Sequence, residues 1–147
     1  RAPNSQLIFD IDLALSQNNE NPVYYIQYAY ARTSSVLRKL VEQGWEWQVE
    51  DAVQHLDQLR EEHEKSLLRR LDRYPEVIAT AALNNEPHTV ATYLRELAGD
   101  FHTWYNAHKM LVEDKALRDA RIALSQAVGQ VIYNGLGLLG VSAPEVM

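Results

Sequence analysis

The chain has no cysteine, which excludes disulfides, thiolate nucleophiles and cysteine–zinc sites and is compatible with a reducing compartment. No apolar run approaches the roughly 18–20 residues a membrane-spanning helix needs. No basic-then-apolar signal pattern opens the chain, so nothing points to export and a cytoplasmic location is expected. Only six glycines occur, and none builds a phosphate loop; Gly135, Gly137 and Gly140 fall in a helix tail, where they let neighbours pack closely. The histidines, His55, His63, His88, His102 and His108, nowhere take the four-residue spacing that sets two imidazoles on one helix face for a metal. His63-Glu64 reads as the start of a zincin motif, but Leu67 stands where the second histidine belongs. No serine has a nucleophile-elbow context. Neither Asp10 with Asp12 nor Glu61 with Glu62 has a spacing that singles it out as a catalytic pair. An independent catalytic site, a metal and a cofactor are therefore not expected.

What remains is an ordinary globular composition, 46% apolar and 23% charged over 147 residues, enough for one domain with a real core. The formal charge of −6 argues against nucleic-acid binding through bulk positive charge. Local basic patches persist: Arg32, Arg38 and Lys39; Arg69, Arg70 and Arg73; Arg118 and Arg121. Composition alone favours reading each as a solvated helix face.

Periodicity is helical throughout, with no convincing strand pattern. Asn21 caps a helix whose first position is Pro22, where a missing amide proton costs nothing. That helix runs to about Gln43, stopped by Gly44, with Val23, Ile26, Tyr30, Thr33, Leu37 and Leu40 on one stripe. Trp45 and Trp47 lie in a loop, covering the core or touching another domain. A second helical region spans about Asp51 to Asp72, with Leu56, Leu59, Leu67, Leu68 and Leu71 as buried candidates and a break expected near the charge-dense Glu61. Pro75 leads a short helix through Ala82, and Asn84 to Pro87 form a turn. From His88 to about His108, the series Val90, Tyr93, Leu94, Leu97, Phe101 and Trp104 is strongly amphipathic. The last helix runs from Lys115 to about Leu139 on the stripe Leu117, Ala120, Leu124, Val128, Val131, Gly135 and Leu138, with Gly140 and Pro144 ending it. The expected fold is all-α, a bundle of about five helices, preceded by one or two turns over residues 9–15.

Two segments crowd aromatic, amide and cationic groups onto short helical stretches. They are NPVYYIQYAYAR, residues 21–32, and DARIALSQAVGQVIYNGLGLLGVSAPEVM, which ends at Met147. Such stretches can stack on bases and hold phosphates, whereas a plain core helix needs only aliphatics. The first resembles the helix that opens the C-terminal domain of arginyl-tRNA synthetases, usually N-P-V-x-Y-V-Q-Y-A-H-A-R. The second is similar to that domain's last helix, through Ala120-Arg121-Ile122-Ala123-Leu124, Asn134-Gly135-Leu136 and Ala143-Pro144-Glu145-Val146-Met147. Between them, YPEVIATAALNNEPHTVATYLRELAGDFHTWY is similar in order and spacing, so the likeness runs from about residue 9 to the end. Three departures stand out. The Asp-Ala-Leu-Arg signature is matched only loosely at Asp119-Ala120-Arg121, Tyr30 replaces the usual histidine, and Val146 the usual penultimate arginine.

The resemblance implies an anticodon-binding domain over residues 21–147, with residues 1–20 a connector from a catalytic domain absent from this sequence. No His-Ile-Gly-His-like or Lys-Met-Ser-Lys-like element is present, so the piece is expected to bind and not catalyse, while the parent ligase uses ATP. The implied partners are the anticodon loop of an arginine tRNA and that catalytic domain in cis; no membrane is expected, and a monomer is. It further implies a pocket for the central anticodon cytosine, mapping by motif to Tyr28, Tyr105 and Met147. The methionine sulfur would pack on the base while the terminal carboxylate accepts from the cytosine amino group. Arg32, Arg38, Lys39, Arg118 and Arg121 are candidate phosphate contacts, Arg121 being equally suited to pair with Asp119 or Glu113. Tyr24, Tyr25, Tyr93 and Tyr133 read as core or helix–helix contacts. The competing reading is a stand-alone helical interaction protein whose stripes serve a partner or a second copy; the opening RAPNSQ, which looks cut from a longer chain, argues against it.

Overall fold

Asn21 starts the first helix as its chemistry requires: its side-chain oxygen accepts from the amides of Val23 at 3.1 Å and Tyr24 at 3.4 Å, and Pro22 occupies the first position. In the computed structural model, which describes residues 20–147 together with Leu15, Gln17 and Asn18, this helix, α1, is Pro22–Glu42. The turn expected over residues 9–15 lies outside the described residues except for Leu15, as does most of the expected connector. Gly44 follows α1 at a φ of 73°, a left-handed conformation that suits glycine. The next elements are a single turn, α2 (Val49–Ala52), and a 3₁₀ turn, Val53–Gln58. The break expected near Glu61 is found, because Glu61 caps α3 (Glu62–Asp72) and its amide donates to Glu64 Oε1 at 3.1 Å. Then come α4 (Tyr74–Asn84), ended by left-handed Asn85, α5 (Pro87–Ala107) and α6 (Lys115–Leu138), capped by Asp114. The described residues contain no strand, and the all-α bundle holds.

Helix α5 is the axis, packed against α1, α3, α4 and α6. Its expected stripe is buried at every position, with Leu94, Leu97, Phe101 and Trp104 wholly enclosed. Each such side chain contributes about 1.5–3 kcal/mol relative to exposure. The outer helices depart from their expected stripes. Val23, Leu56, Leu68 and Leu138 are exposed, while Val36, Ile132 and Leu136 are buried in their place. A heptad-like stripe drifts about 20° per seven residues on a straight helix, and α6 packs on both α1 and α5, so its buried face is wider than one stripe. Gly135 permits close approach, since a Cβ there would stand 2.6 Å from Leu94 Cδ2; Gly129 does the same against Thr33 Oγ1 at 2.5 Å. Gly137 and Gly140 face open space.

Trp45 and Trp47 cover the core. The Trp47 indole donates to the Asp119 carbonyl at 3.1 Å, and Trp45 lies under the Arg118 guanidinium, 3.9 Å from its carbon.

Candidate nucleic-acid interface

Residues four apart on a helix lie one above the other on the same face, so Tyr24, Tyr28 and Arg32 form a row along α1. Tyr24 and Tyr28 rings are 6.2 Å apart and nearly parallel, and the Arg32 guanidinium lies 4.6 Å from the Tyr28 centroid. On α5 the same rule aligns His102, Tyr105 and Asn106, since burial of Trp104 turns Tyr105 outward. The two rows meet. Arg32 is also 4.6 Å from the Tyr105 centroid, and its Nη1 donates to Asn106 Oδ1 at 3.2 Å.

The C-terminal tail closes the third side. Gln27 Nε2 donates to the Ser142 carbonyl at 2.8 Å, and Arg38 Nη1 to the Glu145 carbonyl at 3.2 Å. These two bonds lay the tail across α1 and bring Val146 and Met147 to a groove of about 250 Å3 shared with Tyr28, Arg32, Arg38, Lys39 and Tyr105. Lys39 Nζ reaches the Tyr105 hydroxyl at 3.5 Å. Among the described residues, the lining holds three cations and no Asp or Glu side chain. A larger groove of about 350 Å3, edged by Tyr30, Gln126 and Tyr133, has no cation in its described lining and includes Glu145, which suits phosphate poorly.

Six of the eight residues expected to bind thus converge, and two do not. Arg118 and Arg121 are each only 6% exposed. Arg118 Nη1 donates to the carbonyls of Val112 at 2.9 Å and Glu113 at 3.0 Å. Arg121 pairs with neither Asp119 nor Glu113: its Nε donates to Glu64 at 2.9 Å and its Nη1 to the Lys109 carbonyl at 2.9 Å, while Trp104 Nε1 also donates to Glu64. Asp119 takes Lys115 instead, at 2.6 Å. Both arginines are structural because α6 turns them inward, where a guanidinium satisfies several acceptors at once.

Three residues of the site escape a reading of the sequence: Gln27, Asn106 and His102. Histidine spacing tests His102 only as a metal ligand, though its three-residue offset from Tyr105 is legible. The imidazole is buried, 7% exposed, and rests against Tyr25 and Tyr28 with centroids 4.7 and 5.6 Å away. Burial, and secondarily the Arg32 charge, hold its pKa below the usual histidine value, against a bond to the Tyr25 carbonyl that favours the charged form. Of the tyrosines read as packing contacts, Tyr93 is buried and its hydroxyl donates to the Arg70 carbonyl at 2.6 Å. Tyr133 is exposed but touches Tyr30.

Fold and groove together define a helical domain with an aromatic, cationic groove assembled from two helices and a tail. Residues 26–147 match the family model for the DALR anticodon binding domain, and the chain belongs to that family. It is 58% identical to an arginine–tRNA ligase of Thioalkalivibrio sulfidiphilus over 96% of this chain and 24% of that protein. It is 55% identical to one from Coxiella burnetii over 100% of this chain and 25% of that one. The solved arginyl-tRNA synthetase of Thermus thermophilus superposes with a TM-score of 0.80 at 35% identity, over 99% of this chain and 24% of that one. The chain spans about a quarter of the length of these relatives.

Proposed function

We propose that this chain is the anticodon-reading, C-terminal part of an arginine–tRNA ligase and that it holds the anticodon loop of an arginine tRNA in the Tyr28–Tyr105–Met147 groove. The observation that carries this reading is the meeting of Tyr28, Arg32, Arg38, Lys39, Tyr105 and Met147 around one space whose described lining has no side-chain carboxylate. An anticodon loop presents unstacked bases, which proteins take up on aromatic rings and guanidinium planes. Stacking contributes about 1–3 kcal/mol per base, so two tyrosines can outweigh several phosphate contacts in an acidic domain. The central cytosine lies against these rings, with the Met147 sulfur packed on it and the terminal carboxylate accepting from its amino group. Arg38 and Lys39 hold phosphates and set register without reading sequence. Aminoacylation, with its ATP and arginine, belongs to the catalytic domain in cis; the chain itself acts as a monomer, in the cytoplasm.

The test is titration of the chain with an arginine tRNA anticodon stem-loop across a salt series, beside a loop whose middle cytosine is uridine. Cytosine preference is expected, with log affinity falling against log salt at a slope of about −1.4 for two neutralised phosphates at roughly 0.7 each. One residue added after Met147 is expected to abolish the preference while leaving most of the salt-dependent binding. Equal binding of the two loops would remove the cytosine pocket; no binding at low salt would remove the whole reading.

A further inference from the structure

Arg32 lies over two rings at the centre of the groove, yet among the described residues no carboxylate holds it. Its partners are neutral: Asn106 Oδ1, and His102 Nδ1 at 3.0 Å from Nη1. The imidazole's other nitrogen, Nε2, is 3.1 Å from the Tyr25 carbonyl oxygen. A carbonyl only accepts and a guanidinium only donates. His102 must therefore carry its proton on Nε2, donate it to Tyr25, and offer a bare Nδ1 to Arg32.

We propose that His102 is a positioning residue for anticodon recognition, a neutral imidazole that fixes the Arg32 guanidinium over Tyr28 and Tyr105. This rests on the reading of the groove as an anticodon site and adds a residue that touches no RNA. A partner carboxylate would orient Arg32 equally well but would cancel its charge towards a phosphate or a base carbonyl. An imidazole acceptor orients it and leaves the charge available. The tyrosine rings of α1 pack on His102, so its own orientation is fixed by Tyr25 and Tyr28. A proton on Nδ1 would set N–H against N–H and release Arg32. The charged and titratable groups facing His102 are Arg32 and the phenols of Tyr25 and Tyr28, all from α1. The Arg32 cation opposes that proton, as does burial.

Two measurements separate this inference from the reading beneath it. The first needs no RNA: the imidazole nitrogen NMR spectrum of the free chain, in wild type and Arg32→Ala. Expected are an Nε2-protonated tautomer and a His102 titration that moves up when Arg32 is removed. An Nδ1-protonated ring would overturn the proposal whatever the RNA does. The second is stem-loop affinity for His102→Leu, Arg32→Ala, the double variant and His102→Gln, each checked for a cooperative melt. His102→Leu is expected to weaken binding about tenfold in wild type and not at all in the Arg32→Ala background. His102→Gln, whose amide can donate to Tyr25 and accept from Arg32, is expected to keep near-wild-type affinity. Having no ring to protonate, it is also expected to escape the fall in affinity that a proton on Nδ1 is expected to cause in the wild type at acid pH. An undiminished His102→Leu effect without Arg32 would make His102 merely structural and overturn the proposal. Failure of the wild type to bind would remove the anticodon reading, with the tautomer still deciding whether His102 holds Arg32.

Discussion

Arg121, on α6, and Arg32, on α1, are held in opposite ways. Arg121 is buried against Glu64, with Trp104 and the Lys109 carbonyl completing the network. Arg32 is half-buried against two phenol rings, an imidazole and an amide. A guanidinium paired with a carboxylate in the interior is neutralised and belongs to the fold. One held by neutral groups at an open groove is oriented but still charged, and remains available to a ligand. The kind of partner, more than the exposure of the arginine, separates the cation built into the fold from the one left charged at the groove.

Substitutions on either side of that contrast put it at risk. Arg121→Met strands Glu64 in the core, and removing one member of a buried pair costs about 3–5 kcal/mol; urea denaturation should show it. Affinity measured on the remaining folded protein should be little changed. Next is Gly129→Ala, whose new methyl would meet Thr33, the residue after Arg32. Overpacking of this kind costs about 1–3 kcal/mol and should also shift α1, so stability and stem-loop affinity should fall together. Arg32→Met should reverse the Arg121 pattern: stability within about 1 kcal/mol of wild type, affinity down at least tenfold. If instead Arg32→Met unfolds the chain while Arg121→Met spares it, the distinction drawn between the two arginines is wrong.

The remaining effects are those of pH. The His102 pKa is lowered on folding, so its contribution is present above the unfolded value near 6.5 and lost as pH falls through the folded one. Stability in urea should decline as pH falls below about 6.5, and less steeply in His102→Gln. Tyr93 has the opposite sign. Burial pushes its phenol up to about 12, so its contribution is complete below pH 10 and disappears as pH rises through the folded value, giving an alkaline loss of at most roughly 2–3 kcal/mol.

Much of this is legible in the sequence, for identifiable reasons. The buried series of α5 is readable because a central helix is enclosed on several sides and its apolar residues have nowhere else to go. The Asn21 and Gly44 boundaries are readable because caps are local chemistry. Tyr28 and Tyr105 are placed by motif and Arg32 as a candidate phosphate contact, and their meeting depends on helical spacing on two helices that happen to pack. What spacing does not contain is which helix faces which. Arg118 and Arg121 look like surface cations because nothing along α6 announces that Glu64, 57 positions earlier than Arg121, lies opposite. His102 is hidden for the same reason, since its partners Tyr25 and Arg32 are more than 65 residues away along the chain.

Helix α5 carries two interleaved texts on one thread. Phe101 and Trp104 spell the interior, and His102, Tyr105 and Asn106 spell the groove, interleaved within six positions. Each residue added to a helix turns the rest of it by about 100°. Inserting a single residue just before Phe101 would therefore carry the tryptophan out of the core into the groove position of Tyr105, and the tyrosine into the exposed position of Asn106. By that arithmetic a length change inside α5 disturbs the core and the groove together, so its spacing matters to the proposed site as much as the side chains it presents.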